Sequence, residues 1–81
     1  FTVYVLKSQV AQKSYVGVTD NLGRRLREHN FGKHFYTKRH LPWEVIHREE
    51  FISFSEARDR EKYLKSASGR RVLKKLFQEI E

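Results

Sequence analysis

The chain contains no cysteine, so neither a disulfide framework nor a thiolate metal site is available to it. Methionine is absent as well, which predicts that a few leading residues, the start included, are missing from this sequence. No apolar run approaches the roughly 18 residues that a membrane span needs, and no signal-peptide pattern is present. A cytoplasmic protein without a membrane segment is the expectation, since a cysteine-free chain is compatible with a reducing compartment. There is no glycine-rich phosphate loop, no defensible Ser-His-Asp order and no coiled-coil heptad. The four histidines, His29, His34, His40 and His47, are spaced by five, six and seven residues. That spacing matches no common zinc pattern.

What is present is charge and aromatic content on a short chain. At 81 residues the expectation is a single domain over residues 1–81 with one modest core. Seventeen Lys and Arg against ten Asp and Glu leave a net charge of +7. The excess is uneven: residues 1–42 carry eight basic and two acidic side chains, residues 43–81 nine and eight. The first half should therefore present a positive face suited to a polyanion such as nucleic acid; a generically basic protein is the alternative.

Residues 2–6 and 14–19 are rich in β-branched and aromatic side chains and read as two strands joined by a polar loop from Lys7 to Lys13. Asp20-Asn21 can cap a helix from about Leu22, with Asn30 and Gly32 closing it. Residues 31–41 read as a basic, aromatic loop. Pro42 precedes a third strand from Trp43 to about Phe51. Ser55 caps a second helix, about Glu56 to Lys65, and Ser66 to Gly69 break the chain before a last helix, about Arg70 to Glu79. The fold class is α+β: a three-stranded, mostly antiparallel sheet flanked by helices in the order β-β-α-β-α-α.

The hairpin register follows from matching apolar faces. If Val3 and Val5 share a face with Val16 and Val18, paired positions sum to 21, because side chains directly opposite one another point to the same face. That parity puts Tyr4, Tyr15 and Gly17 together on the other face. A glycine two residues from Tyr15 often marks close approach by a backbone or a ligand.

On the first helix Arg25 and His29 are four residues apart on one face. They flank the Leu22–Leu26 stripe, so both are expected at its edge, reaching over the sheet, with Arg24 and Arg27 pointing outward. On the second helix Ala57, Glu61 and Leu64 follow the core-facing i, i+4, i+7 template. A carboxylate on that stripe costs several kcal/mol unless paired or bound to a cation. Two readings stay open for it: a structural salt bridge, with Arg25 as the candidate partner, or a metal ligand at the floor of a cleft. The segment Lys33, His34, Phe35, Tyr36, Thr37, Lys38, Arg39, His40 alternates cations with rings, as a nucleic-acid-facing loop would. In the last helix Leu73, Leu76, Phe77 and Ile80 supply an apolar side to a solvated, basic element.

With these residues in place, the chain resembles the GIY-YIG nuclease superfamily. Thr2-Val3-Tyr4 stands at the first motif and Tyr15-Val16-Gly17 at the second. The run Asp20 to Asn30 is similar to the following helix, and Glu56 to Lys65 to the helix bearing the acidic residue. The likeness spans almost the whole chain and is greatest to small stand-alone members similar to the nuclease domain found in DNA excision repair. The resemblance implies a DNA endonuclease using one Mg²⁺ (or Mn²⁺), with DNA as partner. It implies Tyr15 as general base, alone or with Tyr4, Arg25 on the scissile phosphate, Glu61 as metal ligand, and His29 contacting substrate or relaying a proton. Gly17, Arg24, Arg27, Lys33, His34, Tyr36, Lys38 and Arg39 would then face nucleic acid. Three positions depart from the family pattern: Thr2 replaces a glycine, Val18 stands where some relatives carry lysine, and no asparagine follows Glu61. A binding module without turnover and a nuclease aimed by a protein partner are the alternative functions.

Overall fold

In the computed structural model, which describes residues 1–80 and side chains through Gln78, three strands and three helices alternate as expected. The strands are β1 (Thr2–Ser8), β2 (Ser14–Thr19) and β3 (Trp43–Glu50); the helices are α1 (Leu22–Asn30), α2 (Phe54–Lys65) and α3 (Ala67–Ile80). The sheet order is β2-β1-β3, with both pairings antiparallel. β1 is central and covered on both faces, which is why its run Thr2 to Leu6 is buried throughout rather than alternating.

The hairpin register is the one the valines require. Val3 opposes Val18 and Val5 opposes Val16, so Tyr4 opposes Gly17 and Leu6 opposes Tyr15. The irregularity in the sheet lies on the other side of β1, where Val5 pairs with His47 but Leu6 with Val45. That bulge leaves Ile46 unopposed, and it packs with the valines while Val45 and Trp43 join the tyrosine face.

The two faces carry two apolar layers. Val3, Val5 and Val16 pack with Ala57, Leu64 and Leu73 from α2 and α3. On the opposite face Tyr4, Leu6 and Trp43 pack with Leu22 and Leu26 of α1. At about 25 cal/mol per Å² of apolar surface removed from water, each fully buried Val or Leu contributes about 1.5–3 kcal/mol. Asn30 joins α1 to the sheet by copying a strand residue: its amide accepts from the Trp43 backbone N–H at 2.7 Å and donates to the Trp43 carbonyl at 3.1 Å.

Several boundaries differ from expectation. β1 runs on to Ser8, whose hydroxyl donates to the His40 carbonyl at 2.7 Å and ties the hairpin to the loop. α2 is capped by Ser53, not Ser55: Ser53 accepts from the Glu56 N–H at 3.2 Å. Ser53 and Glu56 have the three-residue spacing of a capping box, while Ser55 would have Arg58 at that position. The loop at 31–41 is not wholly irregular, since Thr37–Arg39 form a 3₁₀ turn with Thr37 fully buried. α3 begins at Ala67, so the break after α2 is Ser66 alone, with its hydroxyl accepting from the Gly69 N–H at 3.2 Å. Leu73, Leu76 and Phe77 face the apolar layer as expected; the side chains of Glu79 and Ile80 lie outside the described ones.

Candidate active site

The hairpin's parity brings the two phenols together, with Tyr4 and Tyr15 ring centroids 6.2 Å apart. Gly17 makes room for one of them. A Cβ at that position would lie 2.5 Å from the Tyr4 hydroxyl oxygen, far inside contact distance, and Tyr4 is too deeply buried to swing away. The group that approaches Gly17 within the fold is thus Tyr4 of the neighbouring strand.

The two tyrosines differ sharply in surroundings. Tyr4 is buried and its hydroxyl shares a hydrogen bond with His29 Nε2 at 3.0 Å. Burial pushes its phenol up to about 12; the Arg25 guanidinium draws it down only in part, while Tyr15 and Glu61 push it further. Arg25, Tyr15 and Glu61 all lie near enough to act electrostatically on this one hydroxyl. Arg25, half-buried on α1, is in turn made still more basic by Tyr4 and by its 3.2 Å ion pair with Glu28. Tyr15 is half-buried at the wall of an open groove and shares a hydrogen bond with His34 Nε2 at 3.2 Å. His34, expected to face nucleic acid, therefore turns inward onto the second phenol. Burial, Arg25 and Lys65 hold its imidazole below the usual histidine range.

His29 was expected at the edge of the α1 stripe and is instead completely buried. Its Nε2 meets Tyr4 and its Nδ1 meets the Thr37 hydroxyl at 2.8 Å. Burial, helped by the positive charges of Arg25 and His34, pulls it down to about 4. The consequence for stability has a definite sign. Unfolded His29 takes up a proton near its ordinary pKa of about 6.5, whereas folded His29 resists until about pH 4. Its contribution is complete above pH 6.5 and is lost as pH falls through the window down to about 4. At about 1.4 kcal/mol per pH unit the loss is about 3 kcal/mol. Urea denaturation at pH 7 and pH 4.5 is expected to show this fall, and His29→Gln, lacking the titration, is expected to flatten it.

Glu61 is on the buried stripe with Ala57 and Leu64, as its spacing requires. Its partners are not Arg25 but two cations of its own helix. Oε1 accepts from Arg58 at 3.1 Å and Oε2 from Lys65 at 3.2 Å, both side chains half-exposed. Lys65 also stands 5.9 Å from the Tyr15 ring centroid, between the carboxylate and the second phenol. A buried carboxylate is the kind of donor Mg²⁺ uses, since that ion binds through one or two carboxylates and keeps several waters; here both oxygens are engaged by half-exposed cations. Among the described residues no group of three or more His, Asp and Glu side chains could form a fuller cage.

The remaining expected contacts lie around this centre. Arg24 and Arg27 are exposed on α1, as predicted, with Arg24 held by Asp20 at 3.1 Å. Val18, Arg24 and Arg25 share a small cleft of about 310 Å³. Lys33 is exposed. Lys38 and Arg39 both lie over the exposed Phe35 ring, at 5.0 and 5.1 Å from its centroid. Tyr36 stacks toward Tyr15 at 6.2 Å. Sequence reasoning missed Arg58, Lys65 and Thr37 as neighbours of the site. The first two were findable, being three residues before and four after Glu61 on one helix face; Thr37 reaches His29 only through the fold of the loop.

Two tyrosines, an arginine and a buried carboxylate are thus gathered on a small α+β scaffold. The chain belongs to the GIY-YIG family: the model of the GIY-YIG catalytic domain matches residues 1–76, which makes it a nuclease-type protein. It is 43% identical over 67 residues to a UPF0213 protein of Natronomonas pharaonis, covering 82% of this chain and 78% of the relative. A UPF0213 protein of Oceanobacillus iheyensis is 40% identical over 81 residues, 98% of this chain and 93% of the relative. Another, of Staphylococcus haemolyticus, is 38% identical over 73 residues, 89% and 88% of the two chains. No solved structure matches the chain. Among the described residues no helix is long and apolar enough to cross a membrane.

Proposed function

We propose that the protein is a cytoplasmic, divalent-metal-dependent DNA endonuclease in which Tyr15, rather than Tyr4, is the general base. The observation that carries the assignment is the contrast between the two phenols. Tyr4 is buried, bonded to an uncharged His29 and raised to about 12; Tyr15 lines an open groove with its hydroxyl on His34. A general base must reach the proton it abstracts and must have somewhere to pass charge.

The chemistry follows from that geometry. A water attacks the scissile phosphorus and gives its proton to the Tyr15 oxygen as the Tyr15 proton passes to His34 Nε2. The new P–O bond forms while the bond to the leaving sugar oxygen breaks. The Arg25 guanidinium donates to the non-bridging oxygens, whose charge grows in the transition state. A single Mg²⁺ or Mn²⁺ held through Glu61 would supply further charge neutralisation at the phosphate and leaving oxygen. Arg24, Arg27, Lys33, Lys38 and Arg39, exposed around the site, would add salt-sensitive contacts to flanking phosphates.

The test is a panel of supercoiled plasmid, branched and single-stranded DNA with Mg²⁺ or Mn²⁺. Tyr15→Phe is expected to slow cleavage by about 10²–10⁴-fold, the usual size of a general-base contribution. Tyr4→Phe should cost about tenfold or less and act mainly on stability. Equal losses in both variants would remove the assignment to Tyr15. Salt-sensitive binding by a wild type that never nicks any substrate would make the protein a binding module instead.

A further inference from the structure

On the far side of α2 from Glu61, one ion pair ties the helix to the sheet. The Arg60 guanidinium forks onto the Glu49 carboxylate of β3, with Nε donating to one oxygen at 2.9 Å and Nη2 to the other at 3.1 Å. The two residues are 11 apart in sequence, whereas every other ion pair among the described residues joins near neighbours along the chain. Glu49 stands opposite Val3, on the sheet face that α2 covers. His47, two residues away on the same face, shares a hydrogen bond with it at 2.7 Å. Burial works against charge on Glu49, but the hydrogen bonds of Arg60 and His47 outweigh it and hold the carboxyl below the usual carboxylate range. The guanidinium also lies over the Tyr63 ring, 5.2 Å from its centroid. A bidentate fork on one side and a ring on the other leave that side chain little freedom.

The angular order of α2 makes this pair a lever. Ala57 and Leu64 are the α2 residues in the valine layer. At about 100° per residue, Arg60 falls about 60° to one side of Ala57 and Glu61 about 40° to the other, so they flank the stripe. Apolar contact is non-directional, so the stripe alone leaves α2 free to roll. The ion pairs of Glu61 run to Arg58 and Lys65 of its own helix and would turn with it. A roll of about 10° moves a group at the helix's outer radius of about 5–6 Å by about 1 Å. In a catalytic constellation a misplacement of about 1 Å can cost about 10²-fold.

We propose that Glu49 and Arg60 are positioning residues, whose bridge fixes the roll of α2 and so sets the Glu61 carboxylate for a divalent cation. They act through Glu61, from the opposite flank of the helix. The proposal rests on the reading of Glu61 as the metal ligand.

The experiment compares Glu49→Gln with Glu50→Gln. The two glutamates are adjacent on β3 and point to opposite faces; Glu50 is paired within its own strand, with Arg48 at 2.6 Å. The charge change is therefore matched, and only the first variant cuts the tie to α2. Plasmid nicking is followed across a Mg²⁺ titration. Mn²⁺ is titrated into ¹⁵N-labelled protein, with paramagnetic broadening of the amide signals around Glu61 as a readout independent of cleavage. Both are measured well below the melting midpoint of each protein, beside anisotropy with duplex DNA. Glu49→Gln is expected to need about tenfold more Mg²⁺ for half-maximal nicking and about tenfold more Mn²⁺ for half-maximal broadening, with DNA binding within about twofold. Glu50→Gln is expected to stay within about twofold of the wild type in every readout. Arg60→Gln should match Glu49→Gln, and the double variant should be no worse than either, since both remove one interaction. A Glu49→Gln protein that melts lower yet keeps the wild-type metal requirement makes the pair a structural bridge only and overturns the proposal. An equal shift in Glu50→Gln, or additive losses in the double variant, would overturn it as well. A wild type without broadening around Glu61 removes the ligand reading and this proposal with it; broadening that Glu49→Gln leaves unchanged removes the proposal alone.

Discussion

Replacing Glu61 by Gln is expected to reduce Mg²⁺-dependent cleavage by about 10³-fold while leaving DNA binding within about twofold. The magnitude follows from the several kcal/mol that a divalent ion contributes to a phosphoryl transition state, at about 1.4 kcal/mol per factor of ten. Binding should survive because Glu61 is the buried end of its ion pairs and the cations that would meet DNA lie elsewhere on the surface. The fold should survive too. Arg58 and Lys65 have side chains 51% and 53% exposed, so each can rehydrate when its partner loses charge, and the Gln amide keeps the size of the carboxylate it replaces. Nicking of supercoiled plasmid across a Mg²⁺ titration, beside anisotropy with the same DNA, reads both effects. Cleavage that persists at the wild-type rate would sink the ligand role; a parallel loss of binding would return Glu61 to a structural salt bridge.

Gly69→Ala is expected to cost about 3 kcal/mol of stability and to lower Tm by about 15 °C, the conversion being about 4–8 °C per kcal/mol for a domain of this size. Gly69 is buried in the first turn of α3, where that helix starts back across the end of α2. A Cβ there would collide with the Tyr63 carbonyl oxygen and the Leu64 backbone. Backbone cannot rotate aside as a side chain can, so α3 would have to lift from α2 and loosen the contact of Leu73 with the valine layer. Thermal denaturation followed by circular dichroism measures the shift. A variant that melts with the wild type would show that the two helices have freedom to separate without cost.

These effects show where local pattern is informative. The valine matching needs only the two-residue period of a strand and the rule that opposed side chains share a face, and both are properties of any hairpin. It placed Tyr4, Tyr15 and Gly17 together, and the register agrees residue by residue. The burial of Glu61 was legible for the same kind of reason, since i, i+4 and i+7 share a helix face regardless of what that face meets. Ser53 as the α2 cap was also within reach, because its spacing to Glu56 is a local signal that Ser55 lacks.

Other features depend on how segments distant in the chain meet. His29 is four residues from Arg25 on one helix, yet one is fully buried and the other half-exposed. The difference comes from Thr37, which closes over His29 when the 31–41 segment turns inward. The same turn carries His34 onto Tyr15. No period within that segment encodes either contact.

The sequence by itself determined the order of elements, the parity of the hairpin, the buried carboxylate and the basic character of the surface. All of these rest on repeats of two or of 3.6 residues, or on composition. Only the tertiary structure decided which phenol is sealed against His29 and which opens onto a groove, and that Arg25 takes no part in the ion pairs of Glu61. The physical reason is that burial and electrostatic neighbourhood are set by the sum of every element packed around a group, and for Tyr4 and Tyr15 those elements are α1, the 31–41 segment and α2, all distant in sequence from the hairpin's first strand.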